Sequence, residues 1–284
     1  MIDQRFPYEI RPSLAEDEVW RRDIRPLLAS NASANSVDIW EYCFTEMFNN
    51  AIDHSGGTYI AVALKEANGS LEIMIYDDGV GIFRKIQNVL GLSDQRQVIL
   101  ELAKGKLTTD PERHTGQGIF FTSRLLDTFD IRSGSVSLSH EFGEEEDWIF
   151  ECSEIQGTGV FMRLANQTSR TAKSVFDQYS SGDDYGFTKT MVPVALARYG
   201  DERLISRSQA KRLLSRVDQF KTVIFDFKGV ESAGHSFIDE IFRVFARSHP
   251  EIDLLVINDG PGLRAAIRAA RSAAGLPDRS ANPE

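Results

Sequence analysis

The stretch TEMFNNAIDHSGG, residues 45–57, concentrates polar side chains of several chemical types. Residues three and four positions apart share one face of a helix, so a helix here would align carboxylates, amides and an imidazole. These side chains are Glu46, Asn49, Asn50, Asp53 and His54. The opposite face is apolar and would pack on a core; it carries Val37, Trp40, Phe44, Met47 and Ala51. The mixture of polar types indicates ligand binding, with a solvated helix face as the alternative.

The stretch YDDGVGI, residues 76–82, comes directly off a strand pattern and places Asp77 at the strand's end. A carboxylate there accepts a hydrogen bond from an exocyclic amine, such as that of adenine. Gly79 and Gly81 lack a Cβ, which lets a planar ligand approach the backbone closely. Taken alone, the same pattern also describes a simple Asp-Gly turn.

Two later stretches also carry glycines. In HTGQGIFF, Gly116 and Gly118 open a helix, where free N–H groups and the helix dipole favour phosphate. In QGTGVFMRL, Thr158 begins a late strand and offers a hydroxyl to support Asp77. Each stretch is a weak signal when it is considered alone.

The four patterns occur in a fixed order: E-x-x-x-N-A, D-x-G-x-G, G-x-G opening a helix, and G-T before a strand. In this order they resemble the GHKL ATPases. That superfamily contains the histidine-kinase catalytic domains, Hsp90, DNA gyrase B, MutL and the anti-sigma-factor serine kinases. The resemblance covers about residues 36–165 and implies an α+β fold, the Bergerat two-layer α/β sandwich. It also implies a bent ATP under a lid at about residues 83–114.

The resemblance assigns roles residue by residue. It makes Glu46 the general base, Asn50 the ligand of a Mg²⁺ ion that bridges the phosphates, and Asp77 the adenine reader. A hard cation suits an amide oxygen plus waters. Gly116 and Gly118 form the second glycine box, whose backbone N–H groups face phosphate. The implied ATP-binding residues are Asn49, Asn50, Asp53, Asp77, Gly79, Gly81, Ile82, His114, Thr115, Gly116, Gln117, Gly118, Ile119 and Thr158.

The chain departs from the family pattern at two places. Asp78 replaces the Asn frequent in D-N-G-x-G, which adds a charge near the nucleotide. The G-x-G is shorter than the G-x-G-x-G of many members, which leaves the lid contacts unassigned. His54 is common at its position in the anti-sigma kinase branch, with a satisfied helix-end His as the alternative.

Periodicity predicts the elements that position these residues in a first domain, residues 1–165. Residues 13–29 read as an amphipathic helix, and Asn35 or Ser36 is the expected N-cap of the polar helix. TYIAVAL and LEIMIYD, joined by NGS, predict a hairpin. GIFFTSRLLDTF predicts a buried helix, and VSLSHEF, DWIFEC and GVFMRLA predict strands. We therefore expect helices packed on one antiparallel or mixed sheet.

A second domain is expected over residues 187–275, after a polar linker or connecting helix at 166–186 and before a flexible tail at 276–284. Strands with solid apolar runs alternate with helices there, which predicts a small α/β unit.

The stretch FDFKGVESAGHSFIDEIFRVF, residues 225–245, is similar to STAS domains. We expect Phe237, Ile241, Val244 and Phe245 to face inward from its helix. STAS domains of anti-sigma-factor antagonists carry D-S-S-G at the loop–helix junction, with a phosphorylatable Ser. This chain has G-H-S-F there, so Ser236 is the matching position, and we interpret it as a helix cap.

Composition limits the function classes. A net charge of −10 argues against non-specific nucleic-acid binding, which needs a basic surface. No apolar run approaches the roughly 18 residues that would span a membrane. Cys43 and Cys152 lie in apparent core segments and read as buried free thiols in a reducing compartment. We expect a cytoplasmic protein that binds no membrane.

Three functions are compatible with the sequence. In the first, ATP binding and slow hydrolysis make a nucleotide-gated signalling or regulatory switch, with the STAS-like unit or another protein as partner. The second is a serine/threonine protein kinase of the anti-sigma-factor type. The third is a non-catalytic ATP-binding interaction module. A histidine kinase is disfavoured because no dimerising helical hairpin with an acceptor His precedes the catalytic unit. Topoisomerase or MutL activity is disfavoured by the absence of their transducer domain and by the acidic charge.

Overall fold

The computed structural model describes residues 3–28, 32–92, 94–108, 116–143, 148–181, 184–198 and 202–276. Contacts divide the chain into two compact units. The first combines Met1–Val98 with Leu107–Phe176, and the second combines Ile99–Lys106 with Asp177–Glu284. The second unit thus includes a short segment from within the predicted lid, whereas the domain boundaries predicted from the sequence assign the lid wholly to the first domain.

The first unit contains five strands and most of the helices. Its elements are β1 (Asp3–Glu9), α1 (Glu16–Val19), α2 (Arg25–Leu28), α3 (Ala34–His54), β2 (Tyr59–Ala67), β3 (Ser70–Asp77), α4 (Ile82–Leu90), the start of α5 (Gln95–Lys104), α6 (Gly118–Leu125), β4 (Thr128–Glu141), β5 (Trp148–Ala165) and α7 (Ala172–Gln178). The strands form one antiparallel sheet in the order β1-β2-β3-β5-β4. Helix α3 contacts α6, β3 and β5. These helices on a single antiparallel sheet confirm the predicted fold class.

Helix α3 is the polar helix of the sequence. Its apolar face is buried, including Trp40, Phe44 and Met47. The N-cap is Ser33, whose hydroxyl accepts a hydrogen bond from the Ser36 N–H at 3.2 Å. The prediction of Asn35 or Ser36 as the cap was wrong, because the helix begins two to three residues earlier. Ser36 is itself buried and donates its hydroxyl proton to the Ala165 carbonyl.

The helix predicted over residues 13–29 is interrupted. A π-helical segment, Trp20–Ile24, separates α1 from α2. Pro26, the second residue of α2, has no N–H with which to complete a regular helical hydrogen bond, so the helical hydrogen-bond pattern is disturbed at this point. The sequence predicted three strands after α6, whereas the structure has two long strands there, β4 and β5. The pairing of β4 with β5 shifts register around Gly134.

The second unit holds a parallel three-stranded sheet in the order β10-β9-β8. Its elements after α7 are β6 (Ser180–Ser181), β7 (Asp184–Phe187), β8 (Lys189–Pro193), α8 (Arg207–Leu214), β9 (Thr222–Asp226), α9 (His235–Asp239), α10 (Ala246–Ser248), β10 (Asp253–Ile257) and α11 (Pro261–Ala274). Parallel strands with intervening helices confirm the predicted small α/β unit.

The predicted inward face of the helix after β9 is partly wrong. Phe237 and Ile241 are fully buried as predicted, but Val244 is exposed and Phe242 is buried in its place. Residues Glu240–Phe245 form a π-helical turn. A π turn holds more residues than an α turn and therefore rotates the residues that follow it around the helix axis. Within the described part of the chain, no helix is both long and apolar enough to cross a bilayer.

Candidate functional site

A pocket opens between α3 and the sheet in the first unit. It encloses about 400 Å³ of empty space, counting its open mouth. The polar part of its lining is Asn50, His54, Ser55, Asp77 and Thr158. The apolar part is Met47, Ala51, Ile75, Ile82, Ile119, Ile131 and Val160. A mostly apolar cleft with a few convergent polar groups is the usual form of a small-molecule site.

The Asp77 carboxyl group lies at the end of β3 and is only 5% exposed. Its Oδ1 accepts a hydrogen bond from the Gly79 N–H at 3.0 Å. Burial raises the pKa of Asp77, and hydrogen bonds from Gly79 and Thr158 oppose that shift. A carboxylate held in an apolar pocket is well placed to accept a hydrogen bond from a ligand amine.

Thr158 supports Asp77 from the neighbouring strand. The two residues are directly paired across β3 and β5. The Thr158 Oγ1 accepts a hydrogen bond from the Ile82 N–H at 3.0 Å, which leaves its own proton to donate to the Asp77 carboxyl group. The predicted supporting hydroxyl therefore lies where the sequence pattern suggested.

The glycines beside Asp77 are required by packing against the protein itself. A Cβ on Gly79 would lie 2.2 Å from the Ser55 carbonyl oxygen. Gly81 has a φ of +85°, and a Cβ there would lie 2.5 Å from Ser133 Oγ. The sequence suggested that these glycines let a ligand approach, whereas the structure gives them a role in joining β3 and α4 to their neighbours.

Asp78, the departure from the family pattern, points away from the pocket lining. Its Oδ1 accepts hydrogen bonds from the N–H groups of Thr58 and Tyr59, at 2.7 and 3.0 Å. Its Oδ2 accepts one from the Thr58 hydroxyl at 2.8 Å. The backbone hydrogen bond from Thr58 is the largest influence that lowers the pKa of Asp78. The extra charge is thus engaged in fixing the start of β2.

Asn50 and Glu46 lie one helical turn apart on α3. The Asn50 side chain lines the pocket. The Glu46 carboxylate lies against the first residue of α6, because a Cβ on Gly118 would be 2.2 Å from Glu46 Oε2. The N-terminus of a helix presents unpaired N–H groups and favours negative charge. The Glu46 carboxylate therefore lies at the N-terminus of α6, one helical turn from the Asn50 amide that lines the pocket.

The second glycine box is fixed at its first residue. Gly116 has a φ of +69°, and its carbonyl accepts a hydrogen bond from the Leu107 N–H at 3.2 Å. A Cβ on Gly116 would lie within 2.5 Å of the Leu107 backbone. Gln117 is the N-cap of α6, and Ile119 lines the pocket.

Other predicted ATP-binding residues lie elsewhere. Asn49 and Asp53 are on α3 but are not among the pocket-lining residues, and Asp53 is exposed. His114 and Thr115 lie outside the described residues. Ser55 was not predicted as a site residue, but it lines the pocket, and its carbonyl accepts a hydrogen bond from the Val80 N–H at 2.9 Å. No local pattern marks Ser55, because it pairs with a turn more than twenty positions away.

The residues at this end of the pocket fit a magnesium ion that is held mainly by phosphate. Mg²⁺ usually keeps several waters and takes one or two protein oxygens plus substrate phosphates. The Asn50 amide, which lines the pocket, would supply one such oxygen. Among the described residues, no group of three or more His, Cys, Asp or Glu forms an all-protein metal cage.

In the second unit, the Ser236 side chain does not cap its helix. The N-cap of α9 is Gly234, and no side-chain hydrogen bond caps it. The interpretation of Ser236 as the cap was therefore wrong. The side chain of Ser236 is exposed at the second position of the helix.

Two family models match the chain. Residues 13–138 match the histidine kinase-like ATPase domain, and residues 209–262 match a STAS-like domain of unknown function. A comparison with curated proteins finds no match. The first match includes Asn50, Asp77 and the second glycine box, and it ends before Thr158. The predicted succession of a GHKL-type ATPase unit and a STAS-like unit is confirmed.

Proposed function

We propose that this chain, in which a histidine kinase-like ATPase domain precedes a STAS-like domain, binds Mg·ATP in the α3–sheet pocket as a nucleotide-gated regulatory switch. The observation that carries the proposal is the convergence of Asn50, Asp77 and Thr158 on one pocket. These residues come from a helix and two strands that are far apart in sequence.

Adenine fits the apolar part of this pocket. A planar base gains from contact with aliphatic side chains such as Ile75, Ile131 and Val160. Asp77 offers a buried acceptor for the exocyclic amine, and Thr158 fixes the orientation of that carboxyl group. A guanine base presents a carbonyl at the equivalent position, so it would face a carboxylate and be rejected.

The phosphates fit the end of the pocket where α3 meets α6. The first N–H groups of α6 suit an anion, and Asn50 would hold the magnesium ion. The ion supplies charge neutralisation for the phosphate oxygens when it is bound.

Glu46 is the residue that would activate water. In hydrolysis, a water oxygen attacks the γ-phosphorus, a water proton passes to the Glu46 carboxylate, and the bond to the β-phosphate oxygen of ADP breaks. General-base assistance of this kind contributes about 10²–10⁴-fold to a rate. Gly118 supports the assignment because its lack of a side chain leaves room for the carboxylate.

The test is to incubate the full chain with γ-labelled ATP and Mg²⁺ and to follow the label. We expect label on free phosphate, released slowly. Glu46→Gln should retain ATP in equilibrium binding while the release of phosphate falls by about a hundredfold or more. If the parent protein binds no ATP by calorimetry, the proposal is wrong. If it binds ATP but the label reaches neither free phosphate nor protein, the non-catalytic interaction module is correct.

A protein serine kinase is the second candidate, and one observation favours it. Ser236 has an exposed hydroxyl at the start of α9, in the position where related STAS domains are phosphorylated. In that case the label from γ-labelled ATP would remain on protein. The same incubation therefore separates the hydrolase, the kinase and the binding module.

A further inference from the structure

The structure points to an unexpected role for residues 99–106, which we call the anchor segment. They lie within the region predicted as the ATP lid, yet they belong to the second unit. The preceding and following residues, Val98 and Leu107, belong to the first unit. The chain therefore leaves the ATPase unit, contributes one element to the STAS-like unit, and returns.

Most side chains of the anchor segment are removed from water. Ile99, Leu100, Leu102 and Ala103 are all less than 5% exposed. The burial of these four apolar side chains stabilises the packed position of the segment. The segment is thus part of a folded core and does not behave as a free lid.

A buried hydrogen-bond network around Lys104 fixes the end of the anchor segment. The Lys104 side chain is 1% exposed, and its Nζ donates hydrogen bonds to Glu101 Oε1 at 2.8 Å, the Ser215 carbonyl at 2.8 Å and the Arg212 carbonyl at 3.2 Å. All three ammonium protons therefore have acceptors. In addition, the Thr190 hydroxyl donates to the Lys104 carbonyl at 2.6 Å.

Arg216 secures the same segment from the other side. Its Nε lies 3.6 Å from Glu101 Oε2, and its Nη2 donates to the Lys106 carbonyl at 2.6 Å. Lys106 Nζ in turn donates to the Gln219 carbonyl at 2.7 Å and lies 4.5 Å from the centre of the Phe220 ring. Breaking one partner of a buried pair leaves an uncompensated charge, so such a network holds its members in one arrangement.

The residue that follows the anchor segment is hydrogen-bonded directly to the second glycine box. Leu107 follows Lys106 directly, and the Leu107 N–H donates to the Gly116 carbonyl at 3.2 Å. Two residues later, Gly118 lies against Glu46. A displacement of the anchor segment would therefore be passed to the second glycine box.

We propose that the STAS-like unit controls the second glycine box, and with it the ATP site, by holding the anchor segment through the hydrogen bonds from Lys104 to the carbonyl groups of Arg212 and Ser215. For its effect on ATP, this coupling rests on the proposed function. Coupling between sites is reciprocal, so a ligand that changes the hold on the anchor segment changes ATP affinity, and ATP changes the hold by the same factor. Lys104 is a positioning residue in this scheme.

The test is hydrogen exchange on the full chain without nucleotide, comparing the parent with Lys104→Met. Methionine keeps most of the volume and removes the ammonium. Amides of 99–106 should exchange about tenfold faster or more, because a charge-assisted network is lost. The amides of 107–108 and 116–121 should also exchange faster, while those of β9 should not change.

Lys211→Met is the matched control. It removes the same charge from α8 of the same unit, but its side chain is 69% exposed and its nearest carboxylate oxygen, on Glu240, is 3.9 Å away. It should leave exchange in all of these segments unchanged. If Lys104→Met also accelerates exchange in β9, the substitution has loosened the second unit as a whole. The experiment is then repeated with Arg216→Asn in place of Lys104→Met. Asn tolerates the left-handed backbone at this position, where φ is +60°.

Two outcomes overturn the proposal. One is faster exchange in 99–106 with no change in 107–108 and 116–121. The other is unchanged exchange in 99–106 in both Lys104→Met and Arg216→Asn. Because these measurements use no nucleotide, they decide the coupling even if the parent binds no ATP. Where it does bind, Lys104→Met should change ATP affinity and Lys211→Met should not.

Discussion

The Glu46 carboxylate and the α-carbon of Gly118 are in direct contact, so that a Cβ on Gly118 would lie 2.2 Å from Glu46 Oε2. One residue belongs to the polar helix and the other to the second glycine box, seventy-two positions later. The contact brings the proposed general base to the helix N-terminus that would receive phosphate. A substitution at Gly118 therefore tests the position of the Glu46 carboxylate.

Gly118→Ala should slow hydrolysis while ATP binding is largely kept. The added methyl group forces the flexible end of the Glu46 side chain away from its position, and a misplaced base loses about 10²-fold in rate. Phosphate release and equilibrium ATP binding measure the two effects separately. Gly262→Ala is the matched control, because a Cβ near the start of α11 would meet no atom within 4 Å. Equal turnover in both variants would contradict the assignment of Glu46.

Asp77→Asn should weaken ATP binding by about tenfold or more, because a charge-assisted hydrogen bond worth roughly 1.5–3 kcal/mol is lost. Asp78→Asn is the comparison at the adjacent position. It should keep ATP affinity and lower the unfolding free energy, because its carboxylate binds Thr58 and Tyr59. Calorimetry and urea unfolding of both variants measure these effects. Unchanged ATP affinity in Asp77→Asn would refute the adenine assignment.

The same two carboxyl groups should respond to acid with opposite signs. Burial raises the folded-state pKa of Asp77 above 3.8, so the folded state binds this proton more tightly than the unfolded state. Relative to Asp77→Asn, the parent should gain stability as pH falls from that raised pKa towards 3.8. Hydrogen bonds from Thr58 lower the pKa of Asp78 below 3.8, so their contribution is present above 3.8 and is lost as pH falls further.

Urea unfolding without nucleotide over pH 3 to 7 measures both differences against the parent. A parent that loses stability relative to Asp77→Asn on acidification would show that the Asp77 carboxyl group is not desolvated.

Asn50→Ala should remove the magnesium dependence of ATP binding, because Asn50 supplies the amide oxygen that lines the pocket. Asn49→Ala should retain that dependence, since the structure does not place Asn49 in the lining. Titrations with ATP, each with and without Mg²⁺, compare the two neighbouring amides. The reverse result would assign the ion to Asn49, and no effect in either variant would support a purely structural helix face.

Ser236 should not be phosphorylated when the full chain is incubated with Mg·ATP. Its hydroxyl is exposed, so access is not the obstacle. The reason is that the Asp and the final Gly of D-S-S-G are missing, with Gly234 and Phe237 beside it instead. Intact mass and peptide mapping after incubation decide the matter, with Ser236→Ala as the blank. A phosphate on Ser236 would contradict this prediction and favour the protein serine kinase.

Sequence patterns alone predict the type of most elements and the residues proposed for the ATP site. The spacing of Glu46 and Asn50, the position of Asp77 at a strand end and the alternation of β2 and β3 are local patterns. They are visible in sequence because helix and strand periodicity comes from hydrogen bonds between near neighbours. The two family models agree with the predicted types of the two units.

Features that depend on distant contacts could not be read from sequence patterns. Asn50 rather than Asn49 lines the pocket, Asp78 binds Thr58, and Phe242 is buried within a π-helical turn. The first strand, β1, has no strong pattern of its own because it is an edge strand with mostly exposed side chains.

The anchor segment was also invisible in the sequence. Its apolar spacing is that of any buried helix end, and nothing local tells which core it joins. Lys and Glu three positions apart on a helix usually form an exposed pair, whereas Lys104 is buried and donates hydrogen bonds to the carbonyl groups of Arg212 and Ser215, more than a hundred residues later. Membership of a folded unit is set by such long-range contacts, because the free energy of burial depends on which surfaces meet and not on their order in the chain.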